Sequence, residues 1–94
     1  MSEPDFDHVR NTVRAAFGDV PPRFARPIAA AVTAHYEEGT GLADSPLFEA
    51  DPPDTLVSAA GRIINAVDQE VGNDARSRRQ CLEIVSEMAE ARAG

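Results

Sequence analysis

The stretch DQEVGNDARSRRQC, residues 68–81, contains the turn that decides the fold of this chain. Gly72 and Asn73 interrupt a helical pattern of apolar residues, and either Asn73 or Asp74 can cap a new helix after the turn. Because the connection is so short, the two flanking helices are expected to form an antiparallel hairpin. The sequence therefore predicts long helices over residues 52–71 and 74–92.

Both predicted helices carry an apolar stripe in which residues recur every three or four positions. In the first helix the stripe comprises Leu56, Ala60, Ile63, Ile64, Val67 and Val71. In the second it comprises Cys81, Leu82, Ile84, Val85, Met88 and Ala89. We expect the two stripes to pack against each other.

The N-terminal half predicts two more helices, over residues 3–17 and 24–38. Ser2 and Asp5 resemble a capping box before the first helix. Pro27 places the regular start of the second helix near itself, after a short turn at residues 23–25. The expected fold is all-α, a small bundle of about four helices in a single domain spanning residues 1–94.

A loop over residues 39–51 joins the two halves. Ser45 and Pro46 can open a single helical turn in this loop, and Leu47 and Phe48 are expected to anchor it to the core. Asp51 is expected to cap the next helix, whose first turn tolerates Pro52 and Pro53.

Arg76, Arg78 and Arg79 lie in or near the first turn of the last helix, where the helix dipole should repel them. In a hairpin, however, this end lies beside the negative end of the preceding helix, which also carries Asp68 and Glu70.

We therefore favour a structural role for these arginines. Arg79 can pair with Glu83 one turn later, and the Arg78 guanidinium can reach Asp74, Asp68 or a carbonyl. The alternative is that the three arginines bind a phosphate or a nucleic-acid backbone.

The chain has sixteen acidic residues and nine basic ones, all arginine, for a net charge of −7. This charge opposes binding to nucleic acids or anionic membranes and suits a basic protein partner. The single cysteine excludes an internal disulfide framework, and no apolar run is long enough to span a membrane. We expect a soluble cytoplasmic protein without a cofactor or a metal.

No pattern of residues predicts catalysis. His35 is expected to be a half-buried residue near the negative end of its helix, and it lacks partners at metal-ligand or general-base spacing. Cys81 is expected to act as a small hydrophobe. The sequence predicts that the protein is not an enzyme.

The functional prediction is an acidic, non-catalytic helical module that binds another protein as an adaptor, regulator or neutraliser. Glu83, Glu87 and Glu90 face outward along the last helix and could meet a basic partner. Val57 and Leu82, at the margins of the apolar stripes, are candidate contacts with a partner, including a second copy in a homodimer.

The segment GLADSPL, residues 41–47, resembles the Asp-Ser-Leu attachment motif of acyl carrier proteins. Pro46 stands in place of the motif's leucine, and Pro52 and Pro53 interrupt what should be a continuous helix. The resemblance implies a carrier-like domain modified at Ser45, which we keep as an alternative function.

Overall fold

The computed structural model describes residues 4–94. Its α-helices are α1 (Phe6–Gly18), α2 (Ala25–Glu37), α3 (Pro53–Val71) and α4 (Ala75–Ala93). Short 3₁₀ turns lie at Pro22–Phe24, Leu42–Asp44 and Pro46–Glu49, and residues 4–94 contain no strand. These elements confirm the all-α bundle and its C-terminal helical hairpin. The predicted start at residue 3 and Ser2 of the proposed capping box lie outside the described residues.

The first turns of the helices show which of the predicted capping residues make capping hydrogen bonds. Asp5 caps α1 by accepting the His8 N–H at 3.0 Å, and Asp74 caps α4 by accepting the Arg76 N–H at 3.2 Å. The prediction for Asp51 was wrong, because Pro52 occupies the cap position of α3 without a side-chain hydrogen bond. The helix then begins at Pro53, whose missing N–H requires no acceptor there.

The helices alternate around the bundle in the order α1, α3, α2, α4. α3 packs most extensively against α1, and α4 packs most extensively against α2. α3 and α4 also contact each other, as expected of the hairpin, but less extensively than either contacts α1 or α2. The N-terminal helices therefore cover much of the surface that we expected the two stripes to share. α1 and α2 carry apolar faces of their own, and the alternating order gives each helix two neighbours.

Polar contacts define the direction of the helices. The Asp5 N–H donates to Glu70 Oε1 at 2.9 Å, which joins the start of α1 to the end of α3. At the other end of the bundle, Arg92 near the end of α4 donates to the Val20 carbonyl at 3.0 Å. α3 and α4 therefore run antiparallel from their short connection, as the hairpin requires.

Gly72 forms the turn of that hairpin with a φ of +51°. L-residues with a side chain rarely adopt this conformation, whereas glycine does so without a steric penalty. The Gly72 N–H donates to the Asp68 carbonyl at 3.1 Å, and the Asp74 N–H donates to the Val71 carbonyl at 2.9 Å. These bonds end α3 and aim the chain into α4.

The core is aliphatic. Its largest fully buried side chains include Ile28, Leu56 and Ile63 from the helices and Leu47 from the connecting loop. Burial of each such side chain stabilises the fold by roughly 1.5–3 kcal/mol. Phe48 does not join them, because 46% of its surface is exposed. A 3₁₀ helix has three residues per turn, so successive side chains point about 120° apart and Leu47 and Phe48 cannot both face the core.

Candidate functional site

Polar side chains meet at the end of the bundle where α2 and α3 end and α4 begins. The Tyr36 hydroxyl lies 2.6 Å from Asp68 Oδ1 and 2.9 Å from the Ile64 carbonyl oxygen, so both acceptors compete for its proton. The Arg78 guanidinium lies 5.1 Å from the centre of the Tyr36 ring, within the range of a cation–π contact. This polar cluster connects three helices.

Two titratable side chains in this region, Tyr36 and Cys81, have raised pKa values. Burial, followed by the hydrogen bond to Asp68, raises the pKa of Tyr36 well above its ordinary value, although Arg78 opposes the shift. Burial also raises the pKa of the Cys81 thiol, with Glu70 as a second cause. A thiol is nucleophilic only as the thiolate, so Cys81 is held in its less reactive form.

His35 is half-buried, with its ring edge-on to Tyr36 at 5.0 Å between centroids. Its Nδ1 atom is buried and has no hydrogen-bond partner among the described residues. In residues 4–94 no group of three or more His, Cys, Asp or Glu side chains is arranged to hold a metal ion. The cluster around His35 therefore offers packing contacts and hydrogen bonds.

Asp74, Asp68 and a backbone carbonyl were the expected acceptors for Arg78. The structure shows the carbonyl, since Arg78 Nη2 donates to the Gly72 oxygen at 2.8 Å. Arg76 and Arg79 are exposed, and the expected pair between Arg79 and Glu83 is not formed. The structure thus turns Arg78 toward the end of α3 and leaves the other two in solvent.

The start of α4 is occupied by its own cap. Asp74 accepts the Arg76 N–H at 3.2 Å and the Ser77 hydroxyl at 2.7 Å, and these contacts lower the pKa of its carboxyl group, the Ser77 bond most of all. The Asp74 carboxylate therefore occupies the position at the start of α4 where a phosphate would have to accept from the free backbone N–H groups. Anion binding at Arg76, Arg78 and Arg79 stays a prediction without added support from this geometry.

The candidate interface residues differ in their accessibility. Leu82 is only 8% exposed and belongs to the core, whereas Val57 is half-buried. Glu90 pairs with Arg26 through two hydrogen bonds of 2.9 and 2.7 Å, which lower the pKa of its carboxyl group. Glu83 and Glu87 are exposed on α4.

An apolar groove of about 460 Å³ lies between α2 and the loop that contains the Pro46–Glu49 turn. Its volume is within the range of small-molecule and peptide pockets. Glu38 is the one charged side chain among the described residues of its lining, which consists largely of apolar side chains, including Phe24, Pro27, Ala31, Leu47 and Ala50.

The surface continues across α2 toward α4. Ala30 and Ala34 line the apolar groove on one side of α2 and a shallower depression on the other, where Ser86 and Ala89 of α4 contribute. A further depression lies between Glu37 of α2 and α4 residues 82–87. We call this continuous region, from the groove across Ala30 and Ala34 to Glu83 and Glu87, the α2 surface.

Sequence reasoning did not find this groove, since the groove forms only when the loop folds back onto α2. The available signal was the pair Ala30 and Ala34, four residues apart on α2. Small residues at this spacing form a low ridge on a helix.

Ser45, the expected attachment point of a carrier domain, is 7% exposed. Its Oγ accepts the Leu47 N–H at 3.2 Å, and it thereby caps the 3₁₀ turn that follows. An enzyme that attaches a prosthetic group needs an accessible hydroxyl, so this placement weighs against the carrier alternative.

Comparisons with protein-family models, curated proteins and solved structures find no match to this chain. In the part of the chain that the structure describes, no helix is both long and apolar enough to cross a membrane. The functional interpretation therefore depends on the geometry and charge of the surface.

Proposed function

We propose that the protein is a non-catalytic interaction module that binds a partner protein through the α2 surface. The observation that carries this proposal is the open apolar groove between α2 and the 46–49 turn. Most of a small domain's polar surface binds water, whereas an apolar concavity gains free energy when a partner side chain fills it.

The surroundings of the groove support binding more than chemistry. The polar cluster at the other face of α2 uses Tyr36, Asp68 and Arg78 in contacts between helices. Cys81 is fully buried, and burial raises its pKa. These groups are occupied in stabilising the fold, while the exposed carboxylates of Glu83 and Glu87 are free to meet a partner.

The proposal is tested by blocking the groove without disturbing the core. Ala30 is exposed and lines the groove, so Ala30→Arg adds a bulky side chain there while the fold should persist. Ala15→Arg is the matched control, because Ala15 is exposed on α1.

Tagged wild-type protein and both variants are used to capture partners from the source cells after chemical cross-linking, with quantification by mass spectrometry. We expect at least one protein to be recovered with the wild type and Ala15→Arg and lost with Ala30→Arg. Equal recovery of every captured protein by all three baits would contradict the proposal, provided that circular dichroism shows equal helicity.

The homodimer belongs to the same proposal, with a second copy as the partner. Leu82 is too buried to lead such a contact, so the groove is the better candidate interface. Light scattering of the wild type and Ala30→Arg decides whether a second copy binds there.

A further inference from the structure

We infer that the segment bound by the α2 surface is an amphipathic helix with lysines or arginines along one edge. This inference rests on the proposed function and adds the chemistry of the partner. It draws on the shape of α2, the charge of the adjoining helix and the absence of a strand edge among residues 4–94.

The shape of the α2 surface suits a helix. Ala30 and Ala34 form its central ridge, and their small side chains allow another backbone to approach closely. Packed helices lie about 8–10 Å apart, with the shorter distances set by small residues at the contact. Beside the ridge, the apolar groove can receive the large side chains that a bound helix presents at every third or fourth position.

The charge of the α2 surface indicates which residues the bound helix carries along one edge. Glu37, Glu83 and Glu87 line the depression on the α4 side, where Arg79 is the one cation among the lining residues. None of these side chains forms an ion pair within residues 4–94. The three carboxylates outnumber the one guanidinium, so this depression is negatively charged. The nearby Arg26–Glu90 pair is neutral and does not change this charge.

The spacing of the carboxylates matches a helical ligand. Glu83 and Glu87 are four residues apart and both exposed, so they follow one another along α4. A partner helix lying along the seam between α2 and α4 would present basic residues at the same interval. Their long apolar stems can cover small side chains while the charged ends reach the carboxylates.

Other occupants fit the surface less well. A second copy of this chain carries the same net charge of −7 and would be repelled. An extended peptide gains its affinity from main-chain bonds to a sheet edge, and residues 4–94 offer no strand. A basic amphipathic helix satisfies both the groove and the charge.

The inference is tested with a phage-displayed library of helical peptides whose exposed positions are randomised, selected against the wild-type protein at low salt. We expect the enriched peptides to carry Leu, Ile or Phe at positions i, i+3 or i+4, and i+7, with Lys or Arg on one edge. The best peptide is then synthesised, and its affinity is measured for defined variants.

Glu83→Gln combined with Glu87→Gln should weaken binding roughly three- to tenfold at low salt, mainly through slower association. The difference should largely disappear near 1 M salt, where the Debye length is about 3 Å. Asp7→Asn combined with Asp54→Asn removes the same charge from α1 and α3 and should change affinity less than about twofold.

The outcomes separate this inference from the proposed function. If Ala30→Arg abolishes binding but the Glu83 and Glu87 changes have no effect, or the enriched peptides are neutral or acidic, the inference fails and the proposed function stands. If no peptide is enriched, or Ala30→Arg leaves every selected peptide bound, both fail. A wild-type dimer that Ala30→Arg dissociates would identify a second copy as the occupant and overturn the inference.

Discussion

Arg78 illustrates how neighbouring elements decide the role of a single residue. It lies near the positive end of its own helix, yet its guanidinium donates to the Gly72 carbonyl at the negative end of α3. It also faces the Tyr36 ring at 5.1 Å. Its position in the sequence is electrostatically unfavourable only when α4 is considered alone.

Tyr36 gives a direct test of the polar cluster at the residue scale. It is the only tyrosine, and the chain has no tryptophan, so the ultraviolet absorbance of the phenolate reports on this side chain alone. Because burial and the bond to Asp68 raise its pKa, we expect the folded protein to show little phenolate at about pH 10, where a free tyrosine is half ionised. A spectrophotometric titration measures this shift.

The direction of the effect on stability follows from the same shift. Below about pH 10 both the folded and unfolded states keep the phenolic proton, so the stabilising contribution is fully present. Above that pH the unfolded state releases the proton first, and the free energy of unfolding falls as the pH rises toward the folded pKa. A titration in denaturant should give the ordinary midpoint, and the same midpoint in the folded protein would disprove the buried, bonded phenol.

At the scale of elements, the Pro46–Glu49 turn depends on one side chain. Leu47 is 2% exposed and packs into the core, whereas its neighbour Phe48 is 46% exposed. Leu47→Ala should lower the free energy of unfolding by about 2–4 kcal/mol because it leaves a cavity. Phe48→Ala should lower it by less than about 1 kcal/mol.

Chemical denaturation of the two variants measures this difference, and the wild type provides the reference. Similar losses for Leu47→Ala and Phe48→Ala would mean that the turn is not anchored as the structure shows. Loss of the anchor should also weaken peptide binding, since Leu47 lines the apolar groove.

The helices could be predicted from the sequence because their signals are local. Apolar spacing, the Gly72 turn and the proline positions place all four helices within a few residues of their observed ends. An apolar stripe shows which face is buried but not which helix covers it, so the alternating order was not predictable. The choice between Leu47 and Phe48 likewise depended on the 3₁₀ geometry of the turn.

The candidate site was predictable only in part. Glu83 and Glu87 were expected on the outward face of α4, where the structure places them. Leu82 was expected at a margin but is buried, and Glu90 is paired with Arg26. The apolar groove needs the loop to fold back over α2, a long-range contact for which the sequence holds no local signal.

At the scale of the whole molecule, the net charge of −7 should affect stability. Repulsion among the carboxylates destabilises the compact state, and salt shortens the Debye length from about 30 Å at 0.01 M to about 8 Å at 0.15 M. We expect the melting temperature at neutral pH to rise by roughly a few degrees over this range. Thermal unfolding followed by circular dichroism measures the change.

The control is the same salt series near the isoelectric point of about 4.6, where the rise should vanish. The three exposed ion pairs found within residues 4–94 oppose the trend only weakly, because such pairs contribute little in water. A melting temperature that falls with salt at neutral pH would show that attraction between charges outweighs their repulsion.

The alternating order of the helices also determines how the two halves of the chain depend on each other. We expect neither half to fold alone, because α1 packs mainly on α3 and α2 mainly on α4, whereas α1 and α2 make few contacts with each other. During synthesis, α1 can therefore pack on its main partner only after Val71 has left the ribosome, and α2 only after α4 has followed. Two copies that exchanged their halves across the loop at residues 39–51 could rebuild the same interleaved core, so this loop is where we expect a domain-swapped dimer to cross over.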